Sequence, residues 1–136
     1  MKQFIVLTAC LPLILLIMLQ IIYEQKDLMR VEAIQSIVYQ AREEARLSGY
    51  FSESLMDSIR EELLSVEGVM EANFESDVKE PLERYSLGEN RFIDYKISLK
   101  IKNVMAGGGF LMGEGKNIYS MVLEGSVASE YLGQAP

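Results

Sequence analysis

Apolar positions dominate the start of the chain, where Phe4–Ile22 reads FIVLTACLPLILLIMLQII with no charge and with Thr8 and Gln20 as its only overtly polar members. As a helix rising ~1.5 Å per residue, such a run extends roughly 28 Å, close to the thickness of a bilayer's hydrocarbon core. It predicts one membrane-spanning helix, in which Phe4, Leu7, Pro12, Leu15, Leu19 and Ile22 face lipid or neighbouring helices. Pro12 removes a backbone donor and frees the carbonyl of Thr8, which predicts a local kink. Lys2 precedes the run, while Glu24, Lys26, Asp27 and Arg30 after it carry no net charge, so the positive-inside bias puts the N-terminus in the cytoplasm and the rest outside. The run exceeds the apolar core of a cleaved secretory signal, and Gln20-Ile21-Ile22-Tyr23 has no small-x-small cut site. Leu7-Thr8-Ala9-Cys10 is a poor lipoprotein box, because the apolar run continues well past Cys10; that thiol reads as a small lipid- or helix-facing side chain.

Past Tyr23 the polarity changes and the period does not. Leu28, Val31, Ile34, Val38, Ala41 and Ala45 recur every three or four residues between polar neighbours, which describes a helix with one apolar stripe. Neither Gly nor Pro interrupts residues 13–48, and Ser48-Gly49 offers a C-terminal stop. The expectation is a single helix from Lys2 to Leu47, on the order of 68 Å long. The stripe has too few clean heptads for a coiled-coil seam, so it is expected to dock on its own domain. A second, shorter helix follows, capped by Ser52 or Ser54, with a capping-box pattern at Ser54 and Asp57 and a buried side of Leu55, Met56, Ile59, Leu63 and Leu64.

After Gly68 the period becomes two. Met70, Ala72 and Phe74 alternate with Glu71, Asn73 and Glu75, and Ile93, Tyr95, Ile97, Leu99 and Ile101 alternate with Asp94, Lys96, Ser98, Lys100 and Lys102. A last strand runs from Ile118 to about Ser129, with Tyr119, Met121, Leu123 and Val127 on one face and Gly125 interrupting it. Residues 77–90 read as a loop with a short irregular strand around Arg84–Leu87. The fold class is therefore α+β: a long membrane-spanning helix that continues as an amphipathic one, a short helix, and a small antiparallel sheet of three to four strands. Residues 1–23 form the transmembrane half of the first helix and residues 24–136 an extracytoplasmic head.

Composition narrows the chemistry. The chain has 136 residues, no His and one Cys, which removes imidazole bases, His-dependent triads, zinc clusters and disulfide frameworks. A formal charge of −7 argues against nucleic acid as a partner. The carboxylates Asp57, Glu61 and Glu62 fit a solvated helix face better than a metal or acid–base site. Residues 105–117, MAGGGFLMGEGKN, are rich in glycine, but neither phosphate-loop nor dinucleotide spacing fits them; Phe110, Leu111 and Met112 are candidates to enter a membrane or a partner subunit. No cofactor, metal, catalytic residue or small-molecule substrate is implied. Charge is also split, with 16 acidic and 7 basic side chains in residues 24–89 against 4 and 5 in residues 90–136, a pattern open to contacts between subunits or to a plain acidic surface.

The layout resembles a pilin-like protein, and more narrowly the TadE-like minor pilins (pseudopilins) of Tad-type, type IV-like bacterial pilus assembly systems. The residues that carry the resemblance are the Phe4–Ile22 span, the small-residue stretch YQAREEARLSGY (Tyr39–Tyr50), and the strand–loop–strand pattern ending MVLEGSVASEYL (Met121–Leu132). It implies a non-enzymatic structural or accessory subunit in the cytoplasmic membrane, with the lipid bilayer and other pilin-like subunits or assembly machinery as partners. Gln3 and Thr8 stand where a prepilin peptidase site has a small residue and a Glu, so processing is not implied. A second reading from the same residues is a signal-anchored extracytoplasmic module that binds a ligand or envelope component.

Overall fold

The computed structural model describes residues 1–82, 92–102 and 118–132. Helix α1 spans Lys2–Ser48, α2 Glu53–Ser65, and strands β1 (Val69–Ser76), β2 (Phe92–Lys102) and β3 (Ile118–Ala128) form one antiparallel sheet in the order β1-β2-β3. The expected irregular strand near Arg84–Leu87 falls outside the described residues.

α1 is one helix of 47 residues, continuous through Pro12, and about 70 Å long. Where Pro12 withdraws its backbone donor, the Thr8 hydroxyl turns back to donate to the Phe4 carbonyl at 2.8 Å, so that side chain takes its partner from its own helix. The helix stops at Gly49, which adopts φ 84° and ψ −2° and donates its N–H to the Ala45 carbonyl. A Cβ there would meet the Leu82 carbonyl oxygen and the Tyr131 Cβ, each at 2.9 Å, so both the left-handed backbone and the close packing favour glycine.

The start of α2 settles the cap. Ser52 accepts the Leu55 N–H at 3.2 Å, whereas Ser54 lies inside the helix with its hydroxyl against that of Ser52. The expected Ser54–Asp57 capping box is not formed; Asp57 pairs with Arg60. Because one orphan helix donor depends on the Ser52 hydroxyl, Ser52→Ala is expected to lower head stability by about 1 kcal/mol while Ser54→Ala changes it by less than about 0.5 kcal/mol, measured by denaturant unfolding of the two variants side by side.

Both helices lie on one face of the sheet, with α2 over β1 and α1 over β3. The core between the layers consists of Ile34, Val38, Ala41 and Ala45 from α1, Phe51 from the connection, Ile59 and Leu63 from α2, and the inward side chains of the sheet. β2 is the central strand, and its alternation holds to the end: Ile93, Tyr95, Ile97, Leu99 and Ile101 are all buried. At its middle Phe51, Phe74 and Tyr95 meet, with ring centroids 4.8 Å (Phe51–Phe74), 5.7 Å (Phe51–Tyr95) and 6.3 Å (Phe74–Tyr95) apart. Gly125 faces Tyr95 across the register, and a Cβ there would lie 2.5 Å from the tyrosine oxygen. The apparent interruption of β3 is thus the space into which the ring of β2 folds.

Outside α1, three side chains expected on a buried face are exposed. Met70 is exposed, because the pairing slips between Val69 and Glu71; the bulge turns Met70 outward and leaves Val69 against the core. Leu64 is exposed because it lies about 100° around α2 from Leu63, past the edge of the covered stripe. Tyr119 shares a face with Met121, Leu123 and Val127, yet only Val127 is fully buried: β3 is an outer strand of the described sheet, and cover from α1 improves toward its C-terminal end.

Candidate membrane-anchoring and assembly site

The apolar half of α1 stands clear of the head. An 18-residue window within the helix has mean hydropathy 2.8 and none of it is buried. Phe4, Leu7, Leu15, Leu19 and Ile22 are exposed, as is the thiol of Cys10. This disposition is the reverse of a core helix, whose apolar side chains are covered by their own domain. The helix is long and apolar enough to cross a bilayer, and it fits a single-pass membrane anchor.

The other half of the same helix is held by the head. Of the six stripe residues expected to pack there, Ile34, Val38, Ala41 and Ala45 are buried, Val31 is half-buried, and Leu28 is 64% exposed. The reason is phase. Stepping back four residues from Ile34 gives Arg30, so the buried face runs 30-34-38-41-45 and Leu28 falls outside it. Sequence reading counted Arg30 only in the charge balance that follows the apolar run. The available signal was that four-residue step, together with Asp27 one turn earlier as its partner.

Arg30 is the lowest fastening between rod and head. Its guanidinium donates to Asp27 at 3.0 Å and to the Lys102 carbonyl, at the end of β2, at 3.3 Å. It also lies against Gly68, where φ is 91° and a Cβ would sit 2.8 Å from the guanidinium carbon. At the far end Arg46 donates to the Glu130 carboxylate, Arg46 O accepts from the Glu130 N–H, and Gly49 O accepts from the Leu82 N–H. Between these fastenings Arg42 lies 6.0 Å over the ring of Tyr95. The two ends fix direction: α1 runs alongside the sheet from the Lys102 and Ile118 end to the Ala128 end, with the Lys102 end nearest the apolar half.

The outward face of the sheet is polar. Lys96 and Glu124 sit opposite each other in the register and pair at 2.7 Å; Lys100 and Glu71 do the same at 2.6 Å. The hydrogen bond with Glu124 and its negative charge hold the Lys96 ammonium above its ordinary pKa, and Glu130 does the same for Arg46. Both cations stay charged at any pH below their ordinary values. These exposed pairs orient strands and add little stability. A shallow depression lined by Glu75, Asp77, Asp94, Lys96 and Glu124 opens on this face, and no group of three or more metal-ligating side chains is assembled among the described residues. Phe110, Leu111 and Met112 lie outside the described residues; Lys102 and Ile118, which flank that segment at a distance, are paired at the Arg30 end of the sheet.

In comparisons with protein-family models, curated proteins and solved structures, this chain matched none. Its class is therefore defined by architecture alone: an α+β head built onto the second half of a helix whose first half is long and apolar enough to cross a membrane.

Proposed function

We propose that this chain is a non-enzymatic structural or accessory subunit of a pilus-like or secretion filament, of the TadE-like minor pilin kind, assembling through the apolar half of α1. In this reading residues 1–23 span the cytoplasmic membrane, the N-terminus faces the cytoplasm and residues 24–136 lie outside. One observation carries it: a single uninterrupted helix joins an uncovered apolar half to a half fastened into the head. A subunit built this way transmits any rotation or translation of its buried helix directly to the head. A helix that leaves lipid for a bundle of like helices keeps its apolar surface out of water throughout, because packing against neighbours replaces packing against lipid.

Cysteine substitutions along Ile14–Leu19, made in a Cys10→Ser background, followed by oxidative crosslinking in cells, test this reading. The expected result is a one-face pattern of crosslinks that requires the companion genes. Crosslinks independent of those genes, or none on any face, would remove the assembly role and leave a membrane-anchored binding module as the better description.

A further inference from the structure

We propose that the base of the head, the end at Arg30, Gly68, Lys102 and Ile118, is a lipid-contacting surface that rests on the interfacial layer of the same bilayer that α1 crosses. The inference rests on the anchoring part of the proposed function and not on filament assembly.

The first observation is where exposed apolar side chains lie. Beyond Tyr23 the described residues include eleven large apolar side chains that are exposed, and six of them gather at this end: Leu28, Met29, Leu64, Met70, Ile118 and Tyr119. Their placement follows from the connections. Leu64 lies in the last turn of α2, just ahead of Gly68, which packs on Arg30; Met70 is the bulged residue two positions after Gly68. Ile118 pairs with Lys102, whose carbonyl accepts from Arg30, and Tyr119 pairs with Ile101. Four of the six are exceptions to their element's pattern when the head is taken alone: Leu28 misses the stripe, Leu64 passes its edge, Met70 is turned out by the bulge and Tyr119 is left uncovered on an inward-facing position; Met29 and Ile118 add apolar surface on faces that are largely polar. Contact with lipid gives all of them one explanation.

The second observation is height. Arg30 follows the last residue of the apolar run by eight positions, about 12 Å of helix, and the interfacial zone of a bilayer is itself roughly 5–8 Å deep on each side. No flexible linker intervenes, so the head cannot drift away from the surface. The head hangs on one side of α1, so a tilt of about 20° toward that side, a tilt of average size for a membrane helix, would lower the base toward the headgroups. Leu28 and Met29, on α1 itself, lie lower still.

The third observation is charge. The described base carries Lys26, Arg30 and Lys102 against Glu24, Asp27 and Glu67, which balance. The contact is therefore apolar in origin, and zwitterionic phospholipid suffices.

The experiment uses the full chain in phosphatidylcholine vesicles, in a Cys10→Ser background, with single nitroxides at residues 13, 70, 92 and 118. Relative accessibility to oxygen and to a water-soluble nickel complex reports depth. Labels at 70 and 118 are expected to favour oxygen, the label at 92 (at the opposite end of the sheet) to favour the nickel complex, and the label at 13 to read deep hydrocarbon. Seven alanines inserted after Tyr23 raise the head by about 10 Å with little change of helical phase; they are expected to turn labels 70 and 118 to the nickel-favouring value while leaving label 13 unchanged. A deep label 13 with labels 70 and 118 matching label 92 would overturn the lipid contact and spare the anchor. A shallow label 13 would overturn both. Labels 70 and 118 shielded from both reagents, with dipolar coupling between chains, would overturn the proposal in favour of a second copy covering the base.

Discussion

Phe51→Ala is expected to remove about 3–5 kcal/mol from the unfolding free energy of the head. Phe51 is 2% exposed and lies between Phe74 of β1 and Tyr95 of β2, in the short connection that reverses the chain from α1 into α2. Three effects add at this site. The buried apolar area of a whole ring is lost, a cavity opens between two aromatic neighbours that are themselves locked, and the edge-to-face geometry with Tyr95 disappears. Tyr95 cannot move in to fill the gap, because its ring already occupies the space above Gly125. A head of this size has a total stability of roughly 5–15 kcal/mol, so the loss is a large fraction of the whole. With no Trp in the chain, the measurement is denaturant unfolding of the full protein in micelles, followed by near-UV dichroism of its tyrosines. A destabilisation below about 1 kcal/mol would show that the three rings are not the centre of the fold.

The second large effect is expected on the proposed assembly and leaves folding untouched. Insertion of Gly-Gly-Ser between Tyr23 and Glu24 is expected to reduce companion-dependent crosslinking at Ile14–Leu19 to background, while the unfolding free energy of the head stays within about 0.5 kcal/mol of the parent. The separation follows from where contacts begin: no side chain before Arg30 is buried, so a break at residue 23 removes no packing. What it removes is stiffness, since glycine and serine at that point convert a helix into a tether. Seven alanines inserted at the same place retain a helix and nearly its rotational phase, and are expected to retain the crosslinks. Equal crosslinking by the Gly-Gly-Ser protein would show that the continuous rod has no part in assembly. The alanine insertion also separates the two ideas advanced for this chain, because it lifts the head from the bilayer without loosening it.

Much of the architecture is written in local periods. A run of nineteen residues without a charge, a three-and-four spacing that carries on past Tyr23, and a strict alternation from Ile93 to Ile101 are properties of neighbours along the chain, and helices and strands form on that scale. The end of α1 was legible for the same reason, since Gly49 supplies a backbone geometry that other residues reach with difficulty. The candidate anchoring surface was legible too, because an uncovered apolar half needs only composition and length to be recognised.

Where each period meets its partner was decided by the assembled head. Alternation cannot announce a slip of register, so the outward turn of Met70 waits on how β1 pairs with β2. A helical stripe has a direction but no ends of its own, so whether Arg30 or Leu28 begins the buried face depends on where Gly68 and Lys102 arrive in space. Glycine in a strand looks like a defect until the ring opposite it is placed, as at Gly125 and Tyr95. Ser52 and Ser54 are equally good caps by chemistry, and the choice fell to Ser52, which follows buried Phe51 and stays outside the first turn. Hydrogen bonding and side-chain patterning act over a few residues and can be read in order, whereas burial is a relation between segments far apart in the chain, and only the closed structure says which atoms water no longer reaches.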